Sequence, residues 1–405
     1  MMIRHSYSTL SPLLLLILAL SSGLSVANIY FAQPLLDSIS GEFNIPLSSV
    51  GFVVTATQIF YAAGLVLLVP VGDIVNRRKL IVIQMLLSAG ALLAVGLSPT
   101  SLILFAGIGI VGLLAVAAQT MVAAAAALSR PSERGKTVGV VTGGIVIGIL
   151  LARTVAGLLN DWLGWRSVYL FSSVLTLMAA IALFILLPKE NATRARIGYG
   201  GMIISLFLLY KELPVLRIRA LLAMFLFMAF STLWTAMVLP LSSSPLSLSH
   251  TAIGAFGLAG AAGAFAAAYA GRLSDRGWSG KVTGYALGLL LLAWLPISLV
   301  YHSILFLIIG VVLLDLAVQA VHVTNQSLIY KARPEAQSRL TAAYMIFYSI
   351  GSAAGSIFST QMYAWFGWEG VCWLGGAVSG LALLTWLYEQ LSKEVSQPSS
   401  TFTSS

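Results

Sequence analysis

The chain has 405 residues, of which 59% are hydrophobic and 9% charged, and its mean hydropathy is +0.96. A soluble chain carries about a quarter charged residues, so composition excludes a water-soluble globular protein and assigns most of the chain to a lipid bilayer. The formal net charge of +9 points to nucleic acid only if the placement of the charges is ignored, and that placement, set out below, calls for no nucleic-acid partner.

In chain order, apolar runs near 11–33, 49–71, 80–98, 101–128, 137–160 and 168–188 are followed, after a polar linker, by runs near 217–240, 251–271, 282–301, 303–330, 338–362 and 370–391. Each approaches the ~20 residues that a helix needs to cross a bilayer. They are too long and too uniformly apolar for barrel strands. The expected fold is therefore all-α and integral to the membrane, with twelve transmembrane helices. Arg4 and His5 ahead of the first run resemble a signal peptide, but apolar character continues to Gln33 with no small-residue cleavage site, which predicts an uncleaved first span. The expected organisation is a six-helix bundle over 1–188, a cytoplasmic linker over 189–216, a second six-helix bundle over 217–394 and a disordered Ser/Thr-rich tail over 395–405. Within the linker, 203–210 is apolar but about half the length of a span, and reads as an interfacial helix. The lone Cys372 has no partner for a disulfide.

Basic residues fall at Arg4, at Arg77, Arg78 and Lys79, at Arg130, Arg134 and Lys136, and through the linker, Arg217 and Arg219 included. They recur at Arg272, Arg276 and Lys281, at Lys331, Arg333 and Arg339, and at Lys393. With twelve spans all of these share one side, which the positive-inside rule makes the cytoplasm, with both termini there. Arg153, inside a span, and Arg166, on the opposite face, escape the pattern.

The two halves repeat. At an offset of 203 residues Gly51 meets Gly254, Gly148 meets Gly351, Arg130-Pro131 meets Arg333-Pro334, and Gly164-Trp165 meets Gly367-Trp368. Dipeptide matches at one offset in separate loops are poorly explained by chance. Such parallel repeats allow two bundles to rock about a central site.

The loop after span two reads Gly72-Asp73-Ile74-Val75-Asn76-Arg77-Arg78-Lys79, and its counterpart after span eight reads Gly271-Arg272-Leu273-Ser274-Asp275-Arg276-Gly277. On these motifs, and over essentially its whole length, the chain resembles the major facilitator superfamily. Ile74 and Asn76 depart from the basic residue and glycine usual in that motif. The resemblance implies a conformational latch at Asp73, Arg77 and Arg78 and at Gly271, Asp275 and Arg276. In it a carboxylate complements a helix N-terminus and arginines tie the loops; the alternative is that the arginines only set topology. The segments 27–36 and 314–326 resemble the bacterial twelve-helix efflux branch, sugar-efflux-like and drug:proton antiporter relatives included. Span five keeps Gly144 and Gly148 of the antiporter motif but has Ile149 where proline is usual and Ala152-Arg153 where the last glycines are usual. Gly144 with Gly148, and Gly351 with Gly355, allow close helix approach, either at the interface between the halves or inside one bundle.

Two formally charged side chains are expected well inside spans, where an ionised group costs roughly 2.5–3.5 kcal/mol and is a functional candidate. Asp315 lies about 18 Å along span ten, followed at helical spacing by Gln319, His322 and Gln326. A carboxylate there can exchange a proton or contact a polar solute; a hydrogen-bonded structural stripe is the alternative. Arg153 lies about 24 Å along span five. It pairs with Asp315, snorkels outward or binds an anionic group. By resemblance, spans one, four, seven and ten line the central cavity and add Ser21, Ser25, Asn28, Gln119, Thr232, Trp234 and Thr235, although hydroxyls also bond to their own helix. His5, His250, His302 and His322 are scattered and no metal, cofactor or enzyme constellation emerges. The expectation is a monomeric secondary transporter in the cytoplasmic membrane, without a cofactor. It would export a small amphipathic or sugar-like solute, with protons as coupling partner; uptake or facilitated diffusion is the alternative.

Overall fold

The computed structural model describes residues 11–130, 133–188, 198–333 and 336–396. The side chains of Asp73 and Asp275 lie outside the described residues, as do Arg4, Pro131, Pro334, the linker arginines Arg194 and Arg196, and the tail from 397.

Among the described residues the regular structure is helical throughout. Several helices start where the sequence supplies an oxygen for an otherwise unpaired backbone N–H. Ser11 caps the first span at 3.2 Å, with Pro12 at the first helical position. Thr100 caps span four at 3.4 Å and Ser249 caps span eight at 3.2 Å. Asn76 accepts from the Lys79 N–H at 3.0 Å, so the residue that replaces the usual glycine in the loop motif starts span three.

The first half comprises Pro12–Tyr30 with its extension Leu36–Phe43, then Phe52–Leu67, Arg77–Gly96, Ser101–Leu114 with Ala117–Leu128, Arg134–Leu163 and Trp165–Leu186. The second comprises Pro214–Ala236 with Val238–Ser242, His250–Ala259 with Ala261–Asp275, Ser279–Ser298, Ile304–Ala332 and the long stretch Gln337–Ser396. Among the described residues, ten helical segments are long and apolar enough to cross a membrane. One of them is two spans joined at Gly367, whose φ of 63° and ψ of −154° interrupt the helix, and the broken pair 250–275 supplies the twelfth. Gly367 is matched by Gly164, with φ 79°, at the repeat offset, and each precedes a buried tryptophan, Trp368 and Trp165. A positive φ is tolerated by glycine because it lacks a Cβ, so the repeated Gly-Trp dipeptide is a repeated corner. Leu102, Ile185, Leu295 and Leu384, each more than 60% exposed, belong to an apolar exterior that only lipid covers without penalty.

Alternating span directions bring Arg77, Arg78, Arg134, Arg272, Arg276, Lys331 and Arg333 to one end, here the basic end, and Asp37, Glu42, Asp161, Arg166 and His250 to the far end. The seam between the halves is built twice. Span two meets span eleven, where Thr55 donates to the Ala353 carbonyl at 2.9 Å, and span five meets span eight, where Thr154 donates to the Gly254 carbonyl at 3.0 Å. Glycines at this seam include Gly51 against Ser356, Gly157 against His250 and Gly254 against Arg153. The four expected from sequence pack inside each half instead. Gly144 and Gly148 lie on the backbone of Ala19 and Gly23 in span one, and Gly351 and Gly355 on that of Met224 and Met228 in span seven. Backbone-to-backbone approach leaves no room for a Cβ, so these glycines set the width of each bundle, and the interface role passes to others.

The linker helix, Tyr199–Glu212, is longer than the apolar stretch at 203–210. It buries Leu206 and Leu209, and Glu212 meets Arg333 at 2.6 Å, while Tyr199 donates to the Leu67 carbonyl at 2.7 Å. It is therefore tied to both halves. Span twelve continues as helix to Ser396, past the start of the stretch read as a tail.

Candidate functional site

Arg153 and Asp315 are brought to the same place, but not into a direct ion pair. The Arg153 guanidinium, 3% exposed, stacks 3.8 Å from the Trp234 ring centre, and its Nε donates to Gln33 Oε1 at 2.8 Å. At the edge of the same indole, Trp234 Nε1 donates to Asp315 Oδ1 at 3.3 Å. Trp234 thus contacts both cation and carboxylate, offering its π face to one and its N–H to the other. Tyr30 and Phe230 flank the guanidinium at 5.1 and 5.4 Å. Arg153 and Gln33 belong to the first half, Trp234 and Asp315 to the second, so the chain of contacts crosses the seam. Arg153 Nη2 is buried without an acceptor.

Below this cluster the Tyr30 and Tyr348 hydroxyls hydrogen-bond across the seam, and Tyr348 packs on Phe227 with ring centres 3.8 Å apart. Phe227 meets His322 edge-on at 5.2 Å, and His322 Nδ1 lies 3.0 Å from the Tyr344 hydroxyl. His322 is therefore engaged with span eleven and not with Asp315. Gln319 packs on Gly263 of span eight.

The remaining candidates divide. Gln119 lines a cavity of 240 Å³ that opens at the basic end between the halves, together with Arg77, Val138, Tyr330 and Thr341. Asn28 faces into the first bundle, where its Oδ1 accepts from Ser172 at 2.6 Å, and Ser25 donates to the Ser21 carbonyl at 2.9 Å. Thr235 bonds Ser356 at 3.1 Å. Arg78 donates to the Phe184 carbonyl within the first bundle, Gly271 borders a groove with Val323 and Lys331, and Arg276 is exposed. The carboxylates of the two latch motifs, Asp73 and Asp275, lie outside the described residues.

Charge inside the spans is not confined to two residues. Arg219, read from sequence as a linker charge, lies within span seven and meets Glu389 of span twelve at 2.5 Å, the two side chains being 2% and 4% exposed. Its Nη1 also reaches Asn325 at 3.4 Å. Sequence reasoning also passed over Tyr30, Gln33, Phe230 and Tyr348. Tyr30 and Gln33 sit in the 27–36 segment that carries the efflux resemblance; Phe230 and Tyr348 look like ordinary span residues.

Contacts between the halves thus close the seam toward the far end, and a separate cavity lies between the halves at the basic end. The Major Facilitator Superfamily profile matches residues 15–294 and 219–403. An uncharacterized transporter, YgaY, of Escherichia coli O157:H7 is 46% identical over 377 residues, covering 93% of this chain and 95% of that one. A more distant relative, a probable sugar efflux transporter of Helicobacter pylori, is 22% identical over 393 residues, covering 96% and 97%. Among solved structures, a bacterial homolog of the human lysosomal transporter Spinster, in an inward-facing and occupied conformation, superposes with a TM-score of 0.74 at 14% identity, over 95% of this chain and 97% of that one. Twelve helical spans, the repeated seam and a profile match along the whole chain lead to one conclusion: this protein belongs to the Major Facilitator Superfamily and is a multi-pass membrane transporter.

Proposed function

We propose that the chain is a proton-coupled exporter of small amphipathic or sugar-like solutes, in which Asp315 takes the proton and the halves 1–188 and 217–394 rock about the Arg153–Trp234–Asp315 cluster. It would sit as a monomer in the cytoplasmic membrane, with the basic end and both termini in the cytoplasm. The observation that carries the reading is the placement of Trp234. An ionised Asp315 polarises the indole N–H and attracts Arg153 through the ring, which tightens the far-end seam; a neutral Asp315 does neither. Proton occupancy in one half thereby bears on a contact made by the other, which is what coupling to alternating access requires.

Export is supported by the efflux-like segments 27–36 and 314–326 and by the sugar efflux relative. In the same reading Asp73 with Arg77 and Arg78, and Asp275 with Arg276 beside Gly271, act as basic-end latches that must part when that end opens. Proteoliposomes with an imposed pH gradient, screened against a panel of small solutes, test the proposal. The parent protein should move at least one solute uphill, and Asp315→Asn should lose the gradient-driven component while downhill exchange persists. Undiminished gradient-driven transport by Asp315→Asn would remove Asp315 as proton carrier, and rates indifferent to the gradient would replace coupling by facilitated diffusion.

A further inference from the structure

The far mouth is closed by a second charged cluster that the transport site does not use. His250, the first residue of span eight, projects from the second half between two carboxylates of the first. Its Nε2 lies 3.0 Å from both oxygens of Asp37, on the extension of span one. Its Nδ1 lies 3.1 Å from Asp161 Oδ1, near the end of span five. Asp161 also accepts from the backbone N–H groups of His250 and Thr251 at 3.1 and 2.7 Å, and so caps span eight across the seam. Ser38 Oγ stands 3.4 Å from Nε2 and is itself reached by Asn160 at 3.3 Å. Immediately beneath, Gly157 packs on the His250 carbonyl with no space for a Cβ.

A neutral imidazole has one N–H and one bare nitrogen, whereas an imidazolium has two N–H groups. With a carboxylate at each nitrogen, both contacts are hydrogen bonds only when the ring is protonated. Deprotonated, one contact sets a lone pair against a carboxylate oxygen. We propose that His250, Asp37 and Asp161 form a proton-binding clasp on the far mouth, closed while the imidazole bridges both carboxylates and released when it loses its proton. The side chains are about one-fifth exposed, at 18, 23 and 22%, so solvent at the far side supplies and removes that proton.

Among the described residues, the charged groups that face the ring are Asp37 from the extension of span one and Asp161 from span five. Glu42, on the same extension as Asp37, is taken by Arg166 at 2.5 Å and Trp165 at 2.6 Å, and Arg153 lies two turns deeper along span five. The hydrogen bond with Asp37 raises the His250 pKa; burial opposes the shift, and Asp161 adds to it. Because the closed state has the raised value, the clasp's contribution is fully present below the pKa of a free histidine and fades as pH climbs through the raised one. Acid at the far face therefore holds that face shut and alkali favours its opening. The outward sense of the far face rests on the orientation proposed above; the clasp itself does not.

Spin labels at Leu47→Cys and Tyr301→Cys, exposed far-end positions in opposite halves, placed in a Cys372→Ala background and reconstituted in nanodiscs, report the far-end separation by pulsed electron resonance. Between about pH 5 and about pH 8 the open population should grow, by up to about tenfold for each pH unit by which the clasp raises the His250 pKa. His250→Gln, which keeps one donor but does not titrate, should abolish the pH response. Asp37→Asn should lower its midpoint and leave a response, and supplies the readout if His250→Gln folds poorly. In Asp315→Asn the pH response should persist, which separates the clasp from the proton site proposed for transport. A pH-invariant separation in the parent protein, an unchanged response in His250→Gln, an unmoved midpoint in Asp37→Asn, or a response that vanishes only with Asp315→Asn would overturn the clasp.

Discussion

Trp234 is where residue-scale tests separate coupling from packing. Trp234→Phe keeps an aromatic face for Arg153 but deletes the N–H that Asp315 accepts, a hydrogen bond to a charged group of the kind worth about 1.5–3 kcal/mol. Its pH–rate profile should move, and its thermal midpoint should fall by no more than the loss of that one hydrogen bond allows; an unmoved profile would show that the indole N–H is idle. Arg153→Ala leaves Asp315 without its cation, and adding Asp315→Asn should restore part of the lost stability, since neither charge is then buried alone. Additive losses in the double variant would disconnect the two. Arg153 and Asp315 were legible in the sequence because a charge in an apolar run stands out. Gln33 and Tyr30 were not, because amides and tyrosines are common near span ends and only the fold turns them toward Arg153. His250 was the least legible: its partners lie 89 and 213 residues away, and no local pattern relates them.

At the scale of elements, span five carries its own comparison. A methyl on Gly148 meets the backbone of Gly23, whereas one on Gly143 meets nothing within 4 Å. Gly148→Ala should lower the thermal midpoint of the detergent-solubilised protein, by the equivalent of about 1–3 kcal/mol. Gly143→Ala should leave it unchanged or raise it through better helix propensity. Equal behaviour of the two would contradict the described packing of spans one and five. The Arg219–Glu389 pair gives a second test. Glu389→Gln strands a buried guanidinium and should cost about 3–5 kcal/mol, most of it recovered when Arg219→Met is combined with Glu389→Met; a neutral single variant would place the pair in water. Span positions were readable because hydropathy and loop charge both constrain them. Which glycine faces which neighbour was not, because helical spacing alone does not say whether a close-packing face serves its own bundle or the seam. The ion pair was missed because Arg219 stands only a few residues into span seven, where a basic residue also reads as a topology signal.

For the whole molecule, the repeat is the feature that sequence and structure express in common: Gly164-Trp165 and Gly367-Trp368 form matched corners, and spans two and eleven mirror spans five and eight at the seam. The proposed orientation sets the basic end in the cytoplasm. Reporter fusions at Lys79, Arg134, Ser279 and Ala336 should register the cytoplasm, and fusions at Glu42 and Asp161 the opposite side; a cytoplasmic signal at Glu42 would overturn it. The central claim is that solute crosses only if the sealed far end opens. Thr360 Oγ1 donates to the Ser48 carbonyl at 3.3 Å, so Ser48→Cys and Thr360→Cys in a Cys372→Ala background place one thiol on each half at that seal. Once a transported solute is in hand, treating reconstituted protein with a short bifunctional thiol reagent, cleavable by reductant, tests the claim directly. Transport should stop on cross-linking and return on reduction, with single-cysteine controls unaffected. Continued transport by fully cross-linked protein would contradict alternating access through this seam.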